Sequence, residues 1–366
     1  MNFTKETIKD AFFKQAKTCL GSSLLYHDMI NIFAYEAKVI DFTDELLQKR
    51  DFTNIAEVIL SIMAFFHYNT LKNSSDFNRL KSFFLTHGGA YTSNDLSQMK
   101  NTLIELWENQ KENLQKWVLS TKLQTNEIAR CNAIYPALLS LNKEKVNLIE
   151  LGCSAGLILL MDLYSYEYFN DKSIFLEEKY EPLLKCKSGD ISKISNLFQN
   201  KMNIVRRIGL DLFPLDLSEK ENVLNLKSTL WDNPERNMRL EQAIALFLEM
   251  KDNLNLSLLQ ADYTQDLVTL LNKLLVSDAD VVFYSSVSTY QIPVESYHKL
   301  ITRLNELAEF LKKDIYFIEF ESLRDKNEQK NVTKEEPFHL TIHTYPGNTS
   351  YEFGRAHFHG NLLTIF

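Results

Sequence analysis

The segment LIELGCSAGL, residues 148–157, closes an apolar run on an acid, Glu150, and follows it with a tight loop containing Gly152, Ser154 and Gly156. Glycines at this spacing let a backbone turn sharply and approach a ligand closely, and a helix opening behind them would aim its amides at the same place. The composition suits a cradle for a nucleotide-like cofactor, and equally a sharp turn between a buried strand and a helix. Glu150 could orient loop amides or the amino acid portion of a cofactor through charge-assisted hydrogen bonds. Asp211, in IGLDLFPLDL, stands where a carboxylate can accept two hydrogen bonds from a ribose diol, or cap a helix. Asp262, in LLQADYTQDL, could accept from an adenine amino group or close a turn. The hydroxyl-rich VVFYSSVSTY carries Tyr284, Ser285 and Tyr290 as candidates to face a reacting group, although none is a strong base.

The loop reads E-x-G-x-S-x-G rather than the dinucleotide pattern G-x-G-x-x-G, with Ser154 where a middle glycine often sits. That spacing speaks against a nicotinamide dinucleotide. S-adenosylmethionine has no pyrophosphate to seat on a helix, so a loop with two glycines can suffice for it. The distance from Gly156 to Asp211 exceeds the usual spacing of about 20 residues to a ribose-binding acid. Residues 166–203 must then be an insertion, or Asp211 is misassigned.

These groups need a scaffold that brings strand ends together. Residues 5–120 read as helix, with apolar positions every three to four residues in IKDAFFKQAKTCL, AEVILSIMAFFHYNTL and DLSQMKNTLIELWENQKENLQKWVL. Breaks fall at LGSSLL, LKNSSDF and THGGAYTSND. STKLQTNEIARCNAIYPALLSL reads as a further amphipathic helix. Short apolar strands then alternate with helical stretches: VNLIEL, IVRRIGLDLF, LSLLQADY, ADVVFYSS, DIYFIEFES, HLTIHTY and RAHFHGNLLTIF. This predicts an α/β fold, a Rossmann-like sheet of about seven strands of the class I methyltransferase type, with AGLILLMDLY as the first crossover helix. The last two strands are too close for a helix between them and predict an edge hairpin. The expected division is a helical N-terminal domain over 1–120 and a Rossmann-like domain over 121–366.

Composition bounds the possibilities further. Hydrophobic residues make up 45% and charged residues 24%, the balance of an ordinary globular chain. A net charge of -8 argues against a basic arm gripping free nucleic acid. Cys19, Cys131, Cys153 and Cys186 form no C-x-x-C pair, which predicts reduced thiols and a cytoplasmic protein. The N-terminus alternates charge with apolar residues and reads as neither signal peptide nor membrane span. His357 and His359 in AHFHG would share one face of a strand, but two histidines without a third ligand predict no metal centre.

The chain also resembles an uncharacterised bacterial family, DUF2332, on GSSLLYHDMI, FFHY, QTNEIARC, IELGCSAGLILLMDLYSY, RRIGLDLFPLDL, LWDNPERNMRL, VVFYSSVSTY and RAHFHG, in that order. The resemblance implies a helical N-terminal part joined to a class I methyltransferase-like domain. By position it nominates Glu150, Gly152, Ser154, Gly156 and Asp211 for S-adenosylmethionine. It draws attention to TNEIAR, where Asn126 and Arg130 would close over the cofactor, or where Thr125 or Asn126 would simply cap a helix. Tyr284 departs from the histidine that relatives often carry, and an unperturbed phenol, titrating near pH ~10, is a poor base at neutral pH. The expected function is methyl transfer from S-adenosylmethionine to an unidentified acceptor, small molecule or protein. The alternatives are a non-catalytic scaffold of the same fold and, behind it, an NAD-dependent oxidoreductase.

Overall fold

The computed structural model describes residues 3–52, 54–322 and 338–366. The chain divides into two compact units, residues 1–125 with 218–238, and residues 126–217 with 239–366. The helices are α1 (Lys5–Cys19), α2 (Leu24–Tyr35), α3 (Ala37–Lys49), α4 (Ile55–Leu71), α5 (Asn78–Lys81), α6 (Leu96–Ser120), α7 (Cys131–Ser140), α8 (Ile191–Leu197), α9 (Lys220–Ser228), α10 (Pro234–Met250), α11 (Leu267–Leu271) and α12 (Val294–Leu311).

The first unit is helical because its apolar stripes have no other way to leave water. Thr4, Ser23 and Asn54 cap α1, α2 and α4 by accepting from the amides of Thr7, Tyr26 and Glu57. Trp107 of α6 is buried edge-on against Phe42, with ring centroids 4.7 Å apart, and touches Phe33. The segment 218–238, distant in sequence, is held in this unit by Asp232. Its carboxylate accepts from the amides of Leu85 and Thr86 at 2.7 and 2.9 Å and from the Thr86 hydroxyl at 2.8 Å. Trp231 packs against the same core.

The second unit is built on one sheet. Its strands are β1 (Lys145–Leu151), β2 (Tyr164–Phe169), β3 (Ile174–Glu177), β4 (Tyr180–Ser188), β5 (Asn203–Asp211), β6 (Leu256–Gln260), β7 (Asp280–Ser286), β8 (Ile315–Ser322), β9 (Phe338–Tyr345), β10 (Thr349–Ala356) and β11 (Leu362–Ile365). The order across the sheet is β3-β2-β4-β11-β10-β9-β8-β7-β1-β5-β6. The fold is therefore mixed α/β, as expected, but with eleven strands among the described residues instead of about seven. Three of the extra strands, β2 to β4, come from the long segment between the glycine loop and β5. The fourth arises because RAHFHGNLLTIF is not one strand: β10 ends at Ala356, a turn intervenes, and β11 returns antiparallel.

Two helices expected from sequence are also shorter than their periodicity suggests. AGLILLMDLY forms only a 3-10 turn over Leu157–Leu160 before entering β2. The segment 121–142 becomes helical only from Ile128, as a 3-10 turn leading into α7. Pro136 within α7 cannot donate to the carbonyl of Asn132, and the Tyr168 hydroxyl of β2 supplies the missing donor at 2.7 Å.

Within the sheet, β6-β5-β1-β7-β8 are parallel, with one register shift between β1 and β5 at Val146/Asn147. Strand order runs outward from β1 in both directions, so the crevice beyond the carboxyl ends of β1 and β7 is a topological switch point, where α/β sheets bind ligands. Alternation decides the faces. Ile149, Leu151, Val281, Phe283, Ile315 and Phe317 join a core with α11 and α12, so Glu150 and Tyr284 point to the other side.

A buried ion pair fixes the exit of the glycine loop. Arg207 of β5, with its side chain 3% exposed, forks onto both oxygens of Asp162 at 2.8 Å and donates to the Leu159 carbonyl at 2.9 Å. Asp162→Ala leaves that guanidinium buried without its counter-charge. The expected cost is about 3 kcal/mol, read as a lowered urea midpoint with an unchanged far-ultraviolet spectrum in dilute buffer.

Candidate functional site

The loop after β1 is left-handed at three places: Gly152 (φ +75°), Ser154 (φ +52°) and Gly156 (φ +70°). A Cβ on Gly152 would lie 2.0 Å from the Ser288 hydroxyl, and one on Gly156 would lie 2.6 Å from Leu258. Glycine is thus required at both places by conformation and by close approach. The loop is tied to the end of β5: the amides of Gly152 and Cys153 donate to the Leu210 carbonyl, and that of Ser154 donates to Asp211 at 2.8 Å. The other Asp211 oxygen accepts from the amide of Phe213 at 2.8 Å. Asp211 sits at the strand end, where its sequence placed it, and there it clamps the loop. Asp262 lies exposed in a turn and accepts from the amide and hydroxyl of Thr264 and from Gln265.

Glu150 and Tyr284 face each other across paired positions of β1 and β7. Both are buried, and neither Glu150 Oε2 nor the Tyr284 hydroxyl has a hydrogen-bond partner among the described residues. Burial pushes the Glu150 carboxyl well above the usual range, the nearby charge of Asp211 adds to this, and Tyr284 and Arg130 oppose it. Burial raises the Tyr284 phenol as well, with the Glu150 charge contributing. Tyr284 is therefore a protonated phenol and no base.

The segment before α7 arches over this crevice. Asn126 donates to the Cys153 carbonyl of the glycine loop at 3.2 Å. Arg130 donates to the Phe358 carbonyl at 2.9 Å and reaches the carbonyl and hydroxyl of Ser286 at the tip of β7 at 3.3 and 3.4 Å. Between these anchors lies Glu127, buried and acting as the cap of the 3-10 turn. Its oxygens stand 3.2 Å from His359 Nδ1 and 3.5 Å from Arg239. His357 and His359 belong to the turn between β10 and β11, not to a strand, and His359 pairs with a carboxylate.

Ser285 points the opposite way from Tyr284, into a second polar cluster on the α12 side. The backbone breaks its strand geometry at Val287 (φ +59°), a costly conformation for a β-branched residue. Glu321 stabilises the turn after Val287 by accepting from the amides of Ser288 and Thr289 at 2.8 and 3.0 Å. Glu319 accepts from Thr289 and Tyr297 at 2.9 and 2.7 Å and lies 2.9 Å from His343. Burial lifts Glu321 to about 7, opposed by the amide of Ser288 and reinforced by the charge of Glu319. Burial would raise Glu319 too, but His343, Tyr297 and Thr289 outweigh it and leave its carboxyl below the usual range. Tyr290, 42% exposed, closes this turn at the surface.

A bacterial family described as an uncharacterized protein conserved in bacteria, DUF2332, matches residues 9–364. The chain belongs to this family. Because the match spans both compact units, membership is carried by the helical bundle and the sheet together. Among curated proteins no relative matches. The family description names no reaction, so the chemistry must be argued from the site.

The structure gathers Asn126, Arg130, Glu150, Gly152, Ser154, Gly156, Asp211 and Tyr284 at the switch point, leaves Asp262 in a surface turn, and turns Ser285 to the other face. Glu319 and Glu321 were not singled out from sequence. Their signal is legible afterwards: two acids at alternate positions of an otherwise apolar strand, FIEFES, share one buried face. Two surface cavities, of about 330 and 560 Å³, are lined by none of these residues: Asp76 and Glu105 line one, Glu144 and Gln199 the other. Among the described residues no group of three metal-ligating side chains gathers, and no helix is long and apolar enough to cross a membrane.

A carboxyl whose folded pKa is raised to about 7 holds a proton that the unfolded chain releases from its usual 4.5 upward. Stability is thus lost as pH rises from about 5 to about 7, by on the order of 3 kcal/mol for this group. Glu321→Gln cannot ionise. Its melting temperature is expected to gain on that of the unsubstituted protein across this window, as followed by differential scanning calorimetry in matched buffers.

Proposed function

We propose that the crevice at the ends of β1 and β7 binds S-adenosylmethionine, and that the sheet unit directs methyl transfer to a small-molecule or protein acceptor. The observation that carries this reading is the buried Glu150, whose Oε2 has no hydrogen-bond partner among the described residues, beside the left-handed glycine loop at the switch point of the parallel strands. Such an orphaned polar atom asks for a ligand group. The loop also fits this cofactor better than a dinucleotide. The amides of Gly152, Cys153, Ser154 and Gly156 all donate within the protein, which leaves the loop poor in donors for a pyrophosphate.

In this reading Glu150 and Arg130 meet the amino acid portion, and Asp211, through lone pairs beyond those that hold the amides of Ser154 and Phe213, the ribose diol. The cofactor supplies a methyl group made electrophilic by its sulfonium. The chain's own contribution is positioning: an in-line displacement gains most from holding acceptor and methyl in contact and excluding water. Asn126 and Arg130 keep the arch closed across the crevice. The Glu127–His359 pair beneath that arch can take up the proton that an acceptor O–H or N–H must lose, with Glu127 fixing the imidazole as its orienting carboxylate.

A scaffold that keeps the fold without turnover is the second reading, favoured by the Ser288 hydroxyl set against Gly152 and by the loop amides that occupy Asp211. Titration calorimetry with S-adenosylmethionine, S-adenosylhomocysteine and NAD separates the cases. Saturable binding of the first two alone is expected, and no binding of either sinks the proposal. Gly152→Asp adds a side chain and a negative charge where the Ser288 hydroxyl already crowds the loop, and is expected to weaken binding at least tenfold, about 1.4 kcal/mol.

A further inference from the structure

Among the described residues strand β3 ends the sheet on one side, and only its inner edge is paired, antiparallel to β2. The Asn170 amide donates to the Ser173 carbonyl where the hairpin turns. Hydrogen-bonded and non-bonded pairs alternate along an antiparallel ladder, so Ser173, Phe175 and Glu177 spend their backbone groups on β2, whereas Ile174 and Leu176 direct theirs outward. The same two residues expose their side chains, Ile174 at 69% and Leu176 at 46%. Phe175 points to the covered face, against Phe198 of the chain just after α8. Lys172 and Glu178 flank the strand, exposed and outside any ion pair among the described residues.

An open edge with apolar side chains is a template for strand addition. The flanking charges here select what adds. Two copies of β3 can pair antiparallel only in registers that set outward-facing residues opposite one another. Centred on Ile174, the pairing opposes Lys172 to Leu176; centred on Leu176, it opposes Ile174 to Glu178. Both set a charge against an apolar side chain. Centred on Phe175, it sets Ile174 beside Leu176 of the second copy and Lys172 beside Glu178 of the second copy, each pair twice through the two-fold axis.

We infer that β3 is a self-association edge: two copies of this chain join β3 to β3, antiparallel and centred on Phe175, into one continuous sheet. The seam holds about four backbone hydrogen bonds, so the dimer is weak and concentration-dependent. It stands apart from whatever the switch-point crevice binds.

Sedimentation velocity of the full chain over a wide concentration range tests it. The unsubstituted protein is expected to pass from monomer to dimer. Ile174→Pro removes an outward amide that β2 does not use, a place where an edge strand tolerates proline, and is expected to remain monomeric with its melting temperature retained. Lys172→Glu sets like charges together twice and is expected to weaken the dimer roughly tenfold. The exchange Lys172→Glu with Glu178→Lys restores the pairs and the affinity, which a merely structural role for either residue would not do. A monomer at every concentration, a dimer indifferent to Ile174→Pro, or a charge exchange that fails to rescue overturns the inference.

Discussion

The clamp that Asp211 places on the glycine loop is the constraint on which the switch-point site depends. One carboxylate oxygen holds the amide of Ser154 and the other that of Phe213, so the turn after β1 and the turn after β5 are fixed to each other. A loop with three left-handed residues has little intrinsic reason to keep its shape. Hydrogen bonds to a charged acceptor are among the stronger ones available to a backbone, and here they offset that conformational cost. The Arg207–Asp162 pair does the same for the chain leaving the loop.

A second constraint is the alternation of side chains along β7. Neighbours in sequence, Tyr284 and Ser285 serve opposite faces, one beside Glu150 and the other in the cluster of Thr289, Glu319 and Glu321. The two faces solve the problem of buried acids differently. On the α12 face, hydroxyls, amides and a histidine satisfy the carboxylates, and the two glutamates part in acidity. On the other face Tyr284 and Arg130 favour the charge of Glu150, but burial outweighs them. A polar group left in that state is costly unless something completes it.

The arch is a product of distant pieces. Asn126 and Arg130 come from the segment before α7, Ser286 from β7, Phe358 and His359 from the turn after β10, and Arg239 from α10. None of these spacings is periodic. TNEIAR and AHFHG each look like local features in the chain, a helix start and a histidine pair, and meet only because the turn between β10 and β11 brings His359 within reach of Glu127.

The helical bundle, the alternation of strand and helix, the glycine loop with its acids, and the strand ends at Glu150 and Asp211 were legible in the sequence, because periodicity, glycine and strand-terminal acids report local backbone geometry. The rest was decided by tertiary structure. Periodicity could not show that AGLILLMDLY stops after one 3-10 turn, since the next strand is stabilised by its pairing with β3 and β4 rather than by its own pattern. Strand number escaped the sequence for the same reason: short, half-polar strands such as β3 and β4 exist by pairing rather than by propensity. Residue type announced that Asp211 and Glu150 were acids at strand ends. Only the packed sheet determined that one is engaged by backbone amides and the other is buried with an oxygen that finds no hydrogen-bond partner among the described residues, because hydrogen bonding and desolvation depend on what surrounds a group rather than on what it is.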